Sequence, residues 1–359
     1  MGKDNFLFLR RLHGKMHMWR IRKQNQMALY KNIVFPLGKK VYVIGTPEHT
    51  NIGDSAIVLA ELNFLVKSGF PKERIKEISF NEYQKEGKWI KNCISEKQLI
   101  CWHGGGNLGD EWINEEYFRR NALIDFEKNP MIIFPQTIFY TDTEKGLREK
   151  QLSIRYYDGN KQLTIVAREK KSFEIVRDLY PNTKSLLTPD IVLSTTKATF
   201  DVKKKQRTEV LLCLRNDAEK SLSNDECNAI EDILSKHVGS FRRIDMYSDI
   251  PITKENRKEC VRKKMQEFAG AKLVITDRLH GMVFAAITGT PCIVFSNYNQ
   301  KVAGTYEWIK DLSYIRYVDS VVEAENAIKD LVAIKEGDFD NSKWISSFGE
   351  LEETINSFL

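Results

Sequence analysis

KLVITDRLHGMVFAAITGTPCIVF, residues 272–295, holds the logic of the fold in one stretch. A strand-length apolar run, KLVITD (272–277), meets a polar turn and then a helical stretch of small apolar residues, 280–288. Gly289, Thr290 and Pro291 stop that helix, and a second strand, PCIVFS (291–296), follows. Strand, helix, strand at this spacing is a βαβ unit, which requires a parallel sheet. In open parallel sheets the ligand sits beyond the carboxyl ends of the strands. The turn at 276–281 therefore places Arg278, Leu279 and His280 where chemistry is expected. Arg278 is a permanent cation suited to bidentate capture of a carboxylate or phosphate. His280, beside a helix start, either donates to an anion and shuttles a proton or serves as a buried structural histidine.

The same rhythm extends in both directions. Upstream strands are expected at VYVIG (41–45), IKEISF (75–80), QLICWH (98–103), MIIFPQ (131–136) and LTIVA (163–167). The polar, basic stretch TKATFDVKKKQRT (196–208) interrupts the pattern and reads as a linker. A second set follows with EVLLCLR (209–215), FRRIDMYS (241–248) and YIRYVD (314–319), alternating with helical stretches at 224–238 and 255–269. At 359 residues the chain exceeds one ordinary core. The expected organisation is a basic segment (1–40), a first Rossmann-like domain (41–197), a linker (198–208), a second Rossmann-like domain (209–340) and a C-terminal helix (341–359). The fold class is α/β, two doubly wound domains facing across a cleft. In the last segment, Trp344, Phe348, Leu351 and Ile355 mark one apolar helical face.

Composition narrows the function. Apolar content of 42% and charged content of 29% are those of a globular chain with no apolar run long enough for a transmembrane helix. The six cysteines show no Cys-x-x-Cys pair and read as reduced, buried thiols in a cytoplasmic protein, without a metal site. The net charge of +6 is concentrated at one end: residues 1–31 carry eight Lys/Arg and one Asp. Leu9, Leu12, Met16 and Trp19 fall near one helical face among those cations, a pattern fitting either peripheral contact with an anionic membrane or packing on the protein's own surface. The rest of the chain is close to neutral, which argues against nucleic-acid binding.

Two loops share a pattern. HTNIGDSAI (49–57) and HGGGNLGDEW (103–112) both contain Asn-x-Gly-Asp after an apolar strand. In the first, Gly53 permits close approach of a ligand, and Asp54 and Ser55 are expected to cap the following helix. A carboxylate at a helix start disfavours a phosphate cradle, so Asp54 either only caps or engages a sugar hydroxyl. In the second, Gly104, Gly105 and Gly106 present no side chains to a ligand, Asn107 and Asp110 repeat the motif, and Trp112 is placed to stack on a sugar. Both loops leave one parallel sheet at the same edge, so Asn51, Gly53, Asp54, Gly105, Gly106, Asn107 and Asp110 are expected to converge. Further strand-end cations are Arg215 in LLCLRND, Lys301 in YNQKVAG and Arg168 in VAREKKS. Several fixed cations without a metal motif point to a small, densely anionic substrate.

With these pieces assembled, the chain resembles the polysaccharide pyruvyl transferases of the bacterial exopolysaccharide type. The resemblance rests on NIGDSAI (51–57), HGGGNLGD (103–110), FPQTI (134–138), AREKKS (167–172), TPDIVL (188–193), LCLRND (212–217), TDRLHG (276–281) and NQKVAG (299–304) in that order. It implies a GT-B-like fold and transfer of a pyruvyl group from phosphoenolpyruvate to a saccharide as a ketal, with no cofactor beyond that donor. It implies phosphoenolpyruvate binding by Arg215, Arg278, Leu279 through its backbone, and His280; Lys301, a further cation candidate from the residues themselves, is expected to join them. The expected catalytic pair is His280, as general acid or phosphate partner, and Asp54, activating the acceptor hydroxyl. The acceptor wall would comprise Asn51, Gly53, Asp54, Gly105, Gly106, Asn107, Asp110 and Arg168. A lipid-linked acceptor at the inner face of the plasma membrane is compatible with the basic N-terminus. A GT-B glycosyltransferase using a nucleotide sugar, and a non-catalytic partner in a polysaccharide-synthesis complex, are the rival expectations.

Overall fold

The computed structural model describes residues 19–359 apart from 21, 218 and 219. The expected apolar face at Leu9, Leu12 and Met16 lies outside the described residues. A first helix, α1 (22–34), precedes the first sheet. That sheet contains β1 (Val41–Thr46), β2 (Ile75–Ser79), β3 (Leu99–Trp102), β4 (Gly105–Gly109), β5 (Met131–Phe139), β6 (Leu163–Ala167) and β7 (Lys184–Leu187). Its helices are α2 (Ile52–Lys67), α3 (Phe80–Cys93), α4 (Ile113–Asp125), α5 (Glu144–Tyr157) and α6 (Lys170–Leu179). The second sheet contains β8 (Glu209–Cys213), β9 (Arg242–Arg243), β10 (Ala271–Thr276), β11 (Cys292–Phe295) and β12 (Ile315–Val318). Its helices are α7 (Asn224–Val238), α8 (Arg257–Ala269), α9 (Leu279–Thr288), α10 (Lys301–Ile309) and α11 (Val321–Leu331), and α12 (Ser342–Ile345) and α13 (Gly349–Asn356) close the chain.

Strand order explains why four separate motifs meet. The first sheet runs β2-β1-β3-β5-β6-β7, with β4 paired to β5, and the second runs β12-β11-β10-β8-β9. Every pairing is parallel. In each sheet the winding direction reverses between two adjacent strands: β1 and β3 in the first, β8 and β10 in the second. Such switch points leave a crevice at the carboxyl ends of the strands. The two Asn-x-Gly-Asp loops follow β1 and β3; Arg215 follows β8 and Arg278 follows β10. The register places the strand ends side by side, Ile44 against Trp102 and Thr276 against Cys213.

The halves are joined by a shared interior. One apolar cluster runs from Val41, Ile52 and Ile57 of the first half to Met246, Leu279 and Met282 of the second. Helix α2 is apolar around much of its circumference because it packs between the two halves, and α9 is similar. All of α9 is buried except His280. The guanidinium of Arg257, at the start of α8, crosses to Glu77 (2.7 Å) and to the Pro47 carbonyl (3.1 Å). The last helices return to the first half: Phe348 packs on Phe64 of α2 with ring centroids 5.6 Å apart. Trp344, Phe348, Leu351 and Ile355 are all buried, as their spacing predicts.

Three local expectations need correction. Asp54 and Ser55 do not cap α2; Asn51 does, its Oδ1 accepting from the Gly53 and Asp54 amides at 2.9 and 3.4 Å. Asp54 is thereby released from capping and sits in the first turn. The glycine-rich stretch after β3 is not an open loop but leads into strand β4, which pairs with β5. Gly109 has φ of +139°, and a Cβ there would lie 1.7 Å from the Phe139 carbonyl oxygen, so the pairing requires glycine. The stretch 241–248 forms a strand only at Arg242–Arg243; its remainder crosses to the first half.

Candidate functional site

The cleft between the two switch points has a volume of about 330 Å³. The first half of the chain contributes Asn51, Asp54, Gly106, Asn107 and Arg168 to its lining, and the second contributes Arg215, Arg278, Leu279, His280 and Lys301. Ten sequence-predicted positions therefore line one space, which also admits His49, Trp112, Glu115, Met246 and Tyr247.

His280 is the centre of this arrangement. Its side chain is 11% exposed, and Nε2 lies 3.6 Å from Asp190 Oδ2, too far for a direct hydrogen bond. The ring rests against Gly53: a Cβ added there would lie 2.5 Å from Nδ1 and 2.7 Å from Cγ. The glycine of the first Asn-x-Gly-Asp loop thus makes room for the histidine of the other half, and Gly53 itself does not line the cleft. Asp190, in the TPDIVL stretch, is fully buried behind the ring and accepts from Arg168 Nη1 at 2.8 Å and from the Val192 amide at 3.0 Å. Burial alone would raise its carboxyl; the nearby His280 and Arg168 and the Val192 amide outweigh burial and hold it well below the ordinary carboxylate range.

Arg168 sits elsewhere than expected. It is 2% exposed, donates through Nε to Thr137 Oγ1 at 2.9 Å, and shares Asp190 with the histidine. It belongs to the cation cluster rather than to the wall of Asn51 and Asp54, and Gly106 lies directly against its guanidinium. Behind it, burial raises the Glu169 carboxyl to about 7, although Arg168 and the Ser172 and Thr137 hydroxyls pull it down.

The two arginines at the second switch point are held by carboxylates. Arg278 donates to Asp217 Oδ2 and Asp245 Oδ1, both at 2.7 Å, and lies over the Tyr247 ring at 5.0 Å. Arg215 donates to Asp217 Oδ1 at 2.9 Å, so Asp217 bridges the pair. The Arg215 amide donates to Asp277 Oδ1 at 2.8 Å. Burial raises the Asp277 carboxyl to about 6, the Arg215 amide and the two guanidinium charges opposing it. These bonds fix two planar donors side by side at a strand-end crevice, the geometry that suits a compact dianion.

The opposite wall is acidic and polar. Asp54 Oδ2 lies 3.6 Å from His49 Nε2, and both groups are partly exposed. Asn107 is held from behind by the fully buried Arg119, which donates to its Oδ1, and by Gln136 Nε2 at 3.3 Å. Below it, the buried pair His103 Nδ1 and Glu61 Oε2 (2.9 Å) braces the start of the glycine run, with the Gly104 amide donating to Glu61 Oε1 at 2.7 Å. A side pocket of about 160 Å³ opens here, lined by Glu48, His49, Asp54, His103, Asn107 and Glu115.

Besides Gly53, two expected wall residues fall outside the cleft. Asp110 is buried and accepts from the Thr141 amide at 2.8 Å and the Thr141 hydroxyl at 2.6 Å, so it braces the turn into α4. Gly105 is buried in β4. The second Asn-x-Gly-Asp copy thus contributes Asn107 but not its aspartate. Residues missed from sequence are Glu115, Met246 and Tyr247, together with Asp190, Asp217 and Asp245 behind the cations. Asp190 and Asp217 stood in stretches already singled out; Tyr247 had no local signal. It reaches the cleft through a backbone bridge to Asn51, with Ile52 N donating to the Met246 carbonyl and Ser248 N to the Thr50 carbonyl, both at 2.8 Å.

Comparison with known proteins agrees with this geometry. The family model described as polysaccharide pyruvyl transferase matches residues 51–299. General stress protein 30 of Bacillus subtilis is 34% identical over 311 residues, 85% of this chain and 89% of that protein. Pyruvyl transferase 1 of Schizosaccharomyces pombe is 30% identical over 297 residues, 77% of this chain and 70% of that one. Among solved structures, an uncharacterized Klebsiella pneumoniae protein superimposes with a TM-score of 0.54 at 18% identity, covering 84% of this chain and 98% of that one. A Listeria monocytogenes protein provisionally named as a UDP-N-acetylglucosamine 2-epimerase gives 0.53 at 10% identity, covering 88% and 97%. Those likenesses concern the fold alone, and the fold is GT-B-like: two Rossmann-like domains across a cleft.

Proposed function

The chain belongs to the polysaccharide pyruvyl transferase family, and from that premise we propose that it moves the pyruvyl group of phosphoenolpyruvate onto a saccharide as a cyclic ketal. The observation that carries the reading is the polarity of the cleft: Arg168, Arg215, Arg278 and Lys301 gather around His280, opposite Asp54 and Glu115. Phosphoenolpyruvate carries a carboxylate and a phosphate on three carbons, and two fixed guanidinium groups match that charge. Asp217 and Asp245 keep both groups oriented until the donor competes for them.

The chemistry balances without a further reactant. One acceptor hydroxyl attacks the carbon bearing the phosphate, and a proton is delivered to the methylene carbon, making it a methyl group. The carbon–oxygen bond to phosphate then breaks, the second hydroxyl closes the ring, and its proton leaves with the phosphate. His280 is the general acid or phosphate partner, with the Asp190 carboxylate 3.6 Å behind its Nε2. Asp54, free of any capping duty, accepts the proton of the attacking hydroxyl or orients it, and Asn107 is a rigid hydrogen-bonding partner for the same sugar. Among the described residues no helix is long and apolar enough to cross a membrane. Membrane contact through residues 1–31 belongs to this proposal as the means of meeting a lipid-linked acceptor.

A donor comparison tests the reading against a nucleotide-sugar glycosyltransferase. Phosphoenolpyruvate at about 100 times its Kd stabilises the folded protein by about 2.7 kcal/mol, raising the melting temperature, whereas UDP-sugars leave it unchanged. Arg278→Ala abolishes the protection. Protection by a nucleotide sugar and not by phosphoenolpyruvate would favour the glycosyltransferase.

A further inference from the structure

Beside α1 lies a groove of about 1160 Å³, separate from the reaction cleft and larger than one sugar requires. It is lined by Trp19, Asn25 and Asn32 from the N-terminal segment, by Glu82 and Lys85 of α3, and by Thr253 of the second half. The helix wall is fixed in place: Arg22 Nε and Gln26 Nε2 bond the Glu86 carboxylate at 3.0 and 2.8 Å, and Leu29 and Ile33 are buried beneath it.

The groove adjoins the site through shared side chains. Glu48 and Asn81 line both it and the 160 Å³ side pocket, and that pocket shares His49, Asp54, Asn107 and Glu115 with the reaction cleft. We propose that the groove is the outer part of the acceptor site and binds the sugar units of an oligosaccharide or polysaccharide that lie beyond the one receiving the pyruvyl group. This inference rests on the saccharide-acceptor reading above.

The lining selects the ligand class. Asn25, Gln26, Asn32 and Asn81 supply amides that both donate and accept, as hydroxyl-rich ligands require. Trp19 is 60% exposed at the rim, an aromatic ring with a polar edge and with Lys23 Nζ over it at 4.2 Å from the centroid. The charged lining residues are two cations, Arg22 and Lys85, against three carboxylates, Glu48, Glu82 and Glu86. That balance suits a neutral glycan and disfavours the headgroups of anionic lipids, which need an excess of cations.

The test uses acceptor length. Fragments of the producing cell's own polysaccharide, stripped of ketals by mild acid and graded by size, serve as acceptors while phosphate release from phosphoenolpyruvate is followed. In the wild-type protein KM falls about 10-fold from the shortest to the longest fragments, equivalent to about 1.4 kcal/mol. In Trp19→Ala and in Asn25→Ala/Asn32→Ala that gain is lost, while kcat/KM for the shortest fragment is unchanged. Asn→Ala is favourable in an exposed helix, so the variants fold. A KM independent of length, or a length gain that survives both variants, overturns the inference. So does a loss of binding to phosphatidylglycerol vesicles in the variants with the length gain intact, which would make the groove a lipid contact. If no fragment of any length supports phosphate release, the transferase reading itself fails.

Discussion

His280→Ala lowers the rate of phosphate release from phosphoenolpyruvate by about 10²–10⁴-fold, the range in which a positioned proton-transfer group contributes. The size of the effect follows from where the ring sits. His280 is the one residue of α9 not buried, and its imidazole faces the cleft rather than the core. Asp190 beneath it remains bonded to Arg168 at 2.8 Å, so removing the ring leaves no orphaned buried carboxylate. Stability is therefore nearly preserved, and a melting curve close to wild type accompanies the lost turnover. Near-normal turnover in this variant would remove the histidine from the chemistry.

Gly53→Ala produces a comparable defect from the other domain, about 10²-fold in kcat, although residue 53 does not itself line the cleft. The new methyl lies 2.5 Å from His280 Nδ1, 2.7 Å from Cγ and 2.9 Å from the histidine's own Cβ. All three atoms are near the root of the side chain, so a rotation cannot relieve the clash and the ring must be displaced bodily. Misplacing a reacting group by about 1 Å costs about 100-fold in rate. Inside a helix, alanine in place of glycine otherwise stabilises by about 1 kcal/mol, so any loss of activity is not explained by intrinsic helix propensity. Steady-state kinetics beside a thermal melt separates the two. Wild-type turnover would mean that the tight packing of ring on glycine has no part in catalysis.

The architecture was legible because parallel strands advertise themselves as short apolar runs: LTIVA forms β6 at 163–167 and the stretch 224–238 forms α7 as read. Strand-end position then placed Arg215, Arg278 and His280 on one side and Asn51, Asp54 and Asn107 on the other. What stayed hidden depended on pairings distant in sequence. The glycines of 104–109 looked like open space, but Gly105 and Gly109 are paired with β5 about 30 residues on, and only Gly106 lines the cleft. Asp110 closes the same Asn-x-Gly-Asp motif as Asp54, yet Thr141 claims its carboxylate. Arg168 reads as one of several strand-end cations, and only Asp190 fixes it beside the histidine. Tyr247 left its expected strand because the backbone there bridges to Asn51 instead of continuing along β8.

The central claim, pyruvyl transfer to a saccharide, is tested most directly on the product. The producing cell's extracellular polysaccharide, compared by mass spectrometry with and without this protein, should show one sugar that loses the mass of a single pyruvyl ketal when the protein is absent. Restoring the wild-type chain should return that mass, and His280→Ala should not. A polysaccharide whose ketal content is the same in both cells would contradict the account.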